Sequence, residues 1–113
     1  MSESRESVQG VVFDNSHDAR HHGKGGIWYR YKENSDRKFP DDVSSVIINM
    51  PCDWPDGEKA LKGLPAEWSV DHKNPCGAQW KLSGTFEKPT LSPSLHWVGV
   101  WHGFLDNGFL RSC

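Results

Sequence analysis

The stretch that decides the fold is Trp101-His102-Gly103-Phe104-Leu105-Asp106-Asn107-Gly108-Phe109-Leu110-Arg111-Ser112-Cys113. Two apolar runs flank Asn107-Gly108, and both central residues of a type I′ turn need positive φ, which Asn and Gly tolerate. The stretch therefore predicts a β-hairpin. If Asn107 and Gly108 are the whole loop, facing residue numbers sum to 215: Asp106 opposes Phe109, Phe104 opposes Arg111 and His102 opposes Cys113. If Asp106-Asn107-Gly108 forms a three-residue loop, the register slips and His102 faces Ser112. Both registers are compatible with the sequence.

Outward from the hairpin, the composition from Pro89 onward is apolar and aromatic, with Asp106 and Arg111 its only formal charges. This end supplies much of the core, each large side chain contributing about 1.5–3 kcal/mol on burial. Upstream, Val43-Ser44-Ser45-Val46-Ile47-Ile48-Asn49-Met50 reads as an interior strand ended by Pro51. Ile27-Trp28-Tyr29-Arg30-Tyr31 reads as a strand with Ile27, Tyr29 and Tyr31 on one face and Trp28 and Arg30 on the other. Shorter strands are expected at Val11-Val12-Phe13, from Glu67 to His72 and from Ala78 to Leu82, with Ser83-Gly84 as a break. Asn15-Ser16 through Gly23 has the cap and stop of a two-turn helix, and a loop fits equally well. Glu58 to Lys62 allows another helical turn, limited by Gly63 and Pro65. Lys32 to Asp42, dense in charges of both signs, is a solvated loop. The expected fold is mostly β, with a small α+β variant allowed. It is an antiparallel sheet or a small barrel or sandwich, with a C-terminal hairpin and one or two short helical turns. Residues 1–10 are expected to be a flexible tail and residues 11–113 a single β-rich domain.

Composition narrows the function classes. The 113 residues carry a net charge of −2 with six Trp, two Tyr and five Phe. Leu, Ile, Val and Phe make up only about a fifth of the chain, at the edge of the disordered range. Low charge and many aromatics place it among folded chains instead. The balance of charge excludes a strongly basic nucleic-acid binder. No run of 18 apolar residues exists, so no membrane helix is expected. The first residues are polar, without the apolar region of a signal peptide.

Cys52, Cys76 and Cys113 make an odd number of thiols, which argues for reduced cysteines in a cytosol rather than a disulfide framework. Reduced Cys together with six His raises zinc as a possible cofactor. In the two-residue-loop register His102 and Cys113 share a face with Cβ atoms about 4.5–5.5 Å apart, a spacing that suits two ligands of one tetrahedral ion. Cys52, His96 and the His72-x3-Cys76 pair are the further candidate ligands. His96 and His102 lie six residues apart, roughly 20 Å on a straight strand, and meet only if the chain turns near Val98-Gly99. For each His, a hydrogen-bonded core or rim residue is the plainer reading. His17-x3-His21-His22 has helical ligand spacing but reads as a solvated cluster. No Gly-x-Ser-x-Gly elbow or His-Glu-x-x-His helix is present. A Cys113–His102 nucleophilic pair has no evident oxyanion hole or orienting carboxylate. The five Trp from Trp54 to Trp101 are read mainly as core filling.

Trp80-Lys81-Leu82-Ser83-Gly84, Lys88-Pro89-Thr90-Leu91-Ser92-Pro93-Ser94-Leu95, His102-Gly103-Phe104-Leu105-x-x-Gly108 and Cys113 together resemble a family of small bacterial and phage proteins. That family is known only as a domain of unknown function, sometimes labelled ammonia monooxygenase. The resemblance covers about a third of the chain. Trp101 stands where the family has Cys, and Ser112 where it has Asp. The resemblance implies a phage or prophage origin and metal binding, and no established activity. Three function classes are thus expected. One is a small phage-encoded, non-enzymatic binding module, zinc-stabilised, acting on a partner protein of the host or virion. Another is a virion component, such as a decoration or tail-associated protein. The third is a zinc-dependent hydrolase with His102 and Cys113 as ligands and an open water position. The corresponding location is the host cytoplasm or the virion.

Overall fold

The computed structural model describes residues 7–50, 64–97 and 101–112. Nine strands and one helix follow in the order β1 (Ser7–Gln9), β2 (Val11–Val12), α1 (Ser16–His22), β3 (Gly26–Tyr31), β4 (Val43–Met50), β5 (Leu64–Ser69), β6 (Lys81–Gly84), β7 (Pro89–Trp97), β8 (Trp101–Asp106) and β9 (Phe109–Ser112). They form a five-stranded sheet, β1-β9-β8-β7-β6, and a four-stranded sheet, β2-β3-β4-β5. All pairings are antiparallel except β2 with β3. The mostly β expectation holds, and the sheets stay open rather than closing into a barrel.

The two sheets share one core. Ile27, Val46, Ile48 and Trp68 of the smaller sheet pack with Leu82, Leu91, Leu95, Trp101, Leu105 and Leu110 of the larger. Period-2 alternation produces this layering. On β3, Ile27 and Tyr29 point to the core as the alternation predicts, while Trp28 joins Ile47 and Ala19 in a second cluster under α1. β4 is buried from Val46 to Met50 because one face meets the opposite sheet and the other meets α1. The helix starts where Asn15 Oδ1 accepts the Asp18 N–H at 2.8 Å and ends at Gly23, φ 86°. Buried Asn49 donates to the Ala19 carbonyl at 2.8 Å and ties the helix to the sheet.

Three boundaries differ from the sequence reading, and one strand is not delimited by it. Residues 7–9 are not tail: they pair with β9, and Val8 packs on the core. Gly10 then crosses from one sheet to the other, its N–H bonded to the Gly108 carbonyl at 2.7 Å. β5 begins at Leu64 and contains Pro65; as an edge strand it has a side that needs no N–H donor. β6 runs through Ser83 and Gly84, which pair with Thr90 and Pro89. β7, with Pro89 and Pro93, is a nine-residue interior strand, its ladder to β8 out of step between Leu91 and Leu95. The helical turn expected at Glu58 to Lys62 lies outside the described residues.

Candidate functional site

The site is built on the solvent face of the five-stranded sheet, and the hairpin positions it. Asn107 and Gly108 have φ of 49° and 82°, so they form the two-residue loop. The pairs Asp106–Phe109, Leu105–Leu110, Phe104–Arg111 and Gly103–Ser112 all keep the sum 215. The loop is held against β7: Asn107 N–H donates to Thr90 Oγ1 and Gly108 N–H to the Pro89 carbonyl, both at 2.9 Å.

β8 alternates buried and exposed without a break. Trp101, Gly103 and Leu105 face inward; His102, Phe104 and Asp106 face out. Gly103 is required here, because a Cβ would strike the Arg111 carbonyl and lie 2.5 Å from the Trp101 ring. That indole is fixed by its Nε1–H, which donates to Ser112 Oγ at 3.2 Å. Phe104 is 46 % exposed, the one exposed large hydrophobic side chain among the described residues. Arg111 stands opposite it and sets its guanidinium 5.6 Å from the Phe109 ring centre.

One strand over, His96 is paired directly with His102. Their ring centres are 4.4 Å apart with planes 32° from parallel, and both residues are exposed. His102 Nε2 lies 3.3 Å from Ser94 Oγ. Residues 98–100, between them in the sequence, lie outside the described residues. The turn expected near Val98-Gly99 therefore falls outside the described residues, while the cross-strand pairing of His96 with His102 is observed.

Of the other candidate ligands, His72 and Cys76 are described and do not join this pair. His72 contacts the Asp71 carboxylate on its own loop, and that contact holds the carboxyl below the usual carboxylate range, with Ser44 adding a second hydrogen bond. Cys76 is exposed in the turn organised by Asn74, whose Oδ1 accepts the N–H groups of Cys76 and Ala78 at 2.9 Å. Cys52 and Cys113 lie outside the described residues. Among the described residues no three His, Cys, Asp or Glu side chains gather as a metal cluster. His17 and His21 stack edge to face, 4.4 Å apart, on exposed α1.

A second surface feature escaped the sequence reading. A hollow of about 450 Å³ opens beside α1, lined in part by Arg20, Trp28, Arg30 and Glu67. Arg30 pairs with Glu67 at 3.7 Å, and Ser45 Oγ donates to the same carboxylate at 2.5 Å. Cross-strand pairing of β3, β4 and β5 creates this line of polar groups, and no local sequence signal marks it. Neighbouring Tyr29 is raised well above the usual phenol range, by burial first and then by the nearby Tyr31 and Glu87. Its hydroxyl donates to the Phe86 carbonyl at 2.7 Å, a structural bond.

Comparison with family models, with curated proteins and with solved structures finds no match for this chain.

Proposed function

We propose that this chain is a small non-enzymatic binding module that engages a partner protein through the open face of its five-stranded sheet. The observation carrying this reading is Phe104, exposed on β8, the central strand of that sheet. Arg111, Phe109 and His102 surround it on the same face. Aromatic and Arg side chains are what protein interfaces concentrate at their centres, where Lys and Glu are depleted. The hollow beside Phe104, between Thr90, Ser92 and Arg111, is only about 260 Å³. A hollow smaller than the roughly 300–1,000 Å³ of small-molecule pockets suits a protein side chain better than a drug-sized ligand. A net charge of −2 gives nucleic acid no electrostatic footing. Among the described residues no helix is long and apolar enough to cross a membrane. The proposed phage origin rests on the motifs at Lys88 to Leu95 and His102 to Gly108, and makes the partner a host or virion protein.

A photo-crosslinking phenylalanine analogue at position 104, expressed in the host, tests the reading. A discrete protein adduct at 104, absent with the same analogue at exposed Glu33 and lost on Arg111→Glu, supports it. Equal adducts at both positions, or none at 104, overturn it. Mass spectrometry of purified particles then separates a virion component, which must be present in them, from a module acting in the cell.

A further inference from the structure

We propose that His96 and His102 form a two-imidazole site for a divalent transition-metal ion, with Ni²⁺ the best-fitting probe. The inference is independent of the partner-binding reading: it uses the end of the sheet face beyond Phe104 and stands whether or not Phe104 binds anything.

The argument begins with register. His96 and His102 are directly opposed across β7 and β8, so their Cβ atoms are fixed by the backbone ladder rather than by flexible side chains. Leu95, Trp97, Trp101 and Gly103, which flank them on the two strands, all face inward. A one-residue slip of the ladder would turn these residues out into water. The Cβ positions of the two imidazoles are therefore pre-organised, which removes part of the ordering cost of chelation.

Distance then selects the ion class. With metal–nitrogen bonds of about 2.0–2.1 Å, an ion lies about 3.2 Å from each ring centre. Ring centres 4.4 Å apart then subtend about a right angle at the ion, less than the tetrahedral angle of a structural zinc. Right-angled nitrogen ligands belong to tetragonal or octahedral Ni²⁺ and Cu²⁺ sites, with water completing the shell. Both side chains are exposed, so rotation about the Cβ–Cγ bonds can turn one nitrogen of each ring toward a shared point. The contact of His102 Nε2 with Ser94 Oγ is the hydrogen bond to be given up, or is kept if Nδ1 is the ligand. Neutral imidazole is a poor partner for hard Ca²⁺ or Mg²⁺, which demand oxygen.

The test uses the full chain carrying His17→Ala and His21→Ala, which removes the competing helical pair. Ni²⁺ alone is titrated while amide resonances are followed by NMR and affinity by calorimetry. Paramagnetic broadening is expected to centre on Leu95, His96, His102 and Gly103. His96→Gln and His102→Gln are each expected to weaken binding by about 10–100-fold or more, since losing a ligand costs at least what losing an outer-shell partner does. Ca²⁺ should produce neither heat nor shifts. Thermal melts of both variants without metal confirm that the fold is intact. Broadening centred elsewhere, or Ni²⁺ affinity unchanged in both variants, overturns the proposal.

Discussion

Gly103→Ala is the sharpest perturbation, because propensity and packing predict opposite signs. In a strand interior Ala is favoured over Gly by about 0.5–1 kcal/mol on backbone entropy. Here the added methyl collides with the Arg111 carbonyl of β9 and with the Trp101 indole. Neither yields easily: β9 is held on both sides by β8 and β1, and the indole is pinned by Ser112 Oγ. The protein must spread the β8–β9 ladder or expel the indole. Overpacking of this kind costs about 1–3 kcal/mol, and the loss of indole packing carries the figure toward its upper end. Less the backbone-entropy gain, a net loss of about 2–2.5 kcal/mol lowers the melting temperature by roughly 8–10 °C for a domain of this size. Thermal and urea melts followed by Trp fluorescence measure it, with His102→Ala as the outward-facing control, expected within about 0.5 kcal/mol of the parent. A neutral or stabilising Gly103→Ala would refute the assignment of the β8 faces. The outward placement of His102 and Phe104 would go with it.

Gly108→Ala should cost about 1 kcal/mol or more, because φ is 82° and the new Cβ would lie 3.2 Å from Lys88 Cα; an unchanged urea midpoint would argue against the two-residue loop. Asn15→Ala should cost about 1 kcal/mol through loss of the cap to Asp18, with Asn15→Ser retaining most of the stability in the same melts. Asp71 has a folded-state pKa depressed by its hydrogen bond from His72 and then by that from Ser44. Its stabilising contribution is therefore complete above the ordinary carboxylate range and lost as pH falls through the depressed value. The side chain is solvent-facing, so the expected readout is an NMR titration of the carboxyl rather than a large change in stability. His72→Ala should return that titration toward the ordinary range, and no movement would remove His72 as the cause.

Where local chemistry decides the backbone, the sequence was readable. Asn107-Gly108 selected the hairpin loop because turn type depends on two residues, although slippage to a three-residue loop stayed open until the pairing of Gly103 with Ser112 was seen. For the same reason Asn15-Ser16 and Gly23 read as helix ends, although a loop fits that segment equally well, and the structure makes Asn15 the cap. Strands whose punctuation contradicts their position were lost. β7 carries Pro89 and Pro93, residues that argue against an interior strand, yet Pro89 opens the strand and Pro93 falls in the irregular stretch between Leu91 and Leu95. β1 offers one apolar residue, Val8, and only its contact with the core reveals it.

The site shows the same division at longer range. A hairpin register is local, so the line from Phe104 to Arg111 could be drawn in advance. The nearness of His96 to His102 could not, because it depends on the fold of a segment with no turn signature comparable to Asn-Gly. Counted along one strand, six residues separate two groups by roughly 20 Å; folded back, the same residues become direct cross-strand neighbours with rings 4.4 Å apart. Spacing in sequence therefore selects ligand pairs only within a helix or across a turn of known type. On a sheet, the ligand of interest belongs to whichever strand the topology sets alongside. His72 and Cys76, four apart across the turn organised by Asn74, satisfy the sequence rule and belong to no group of three or more such side chains among the described residues. The His96–His102 pair is assembled by β7 and β8, two of the three interior strands of the larger sheet.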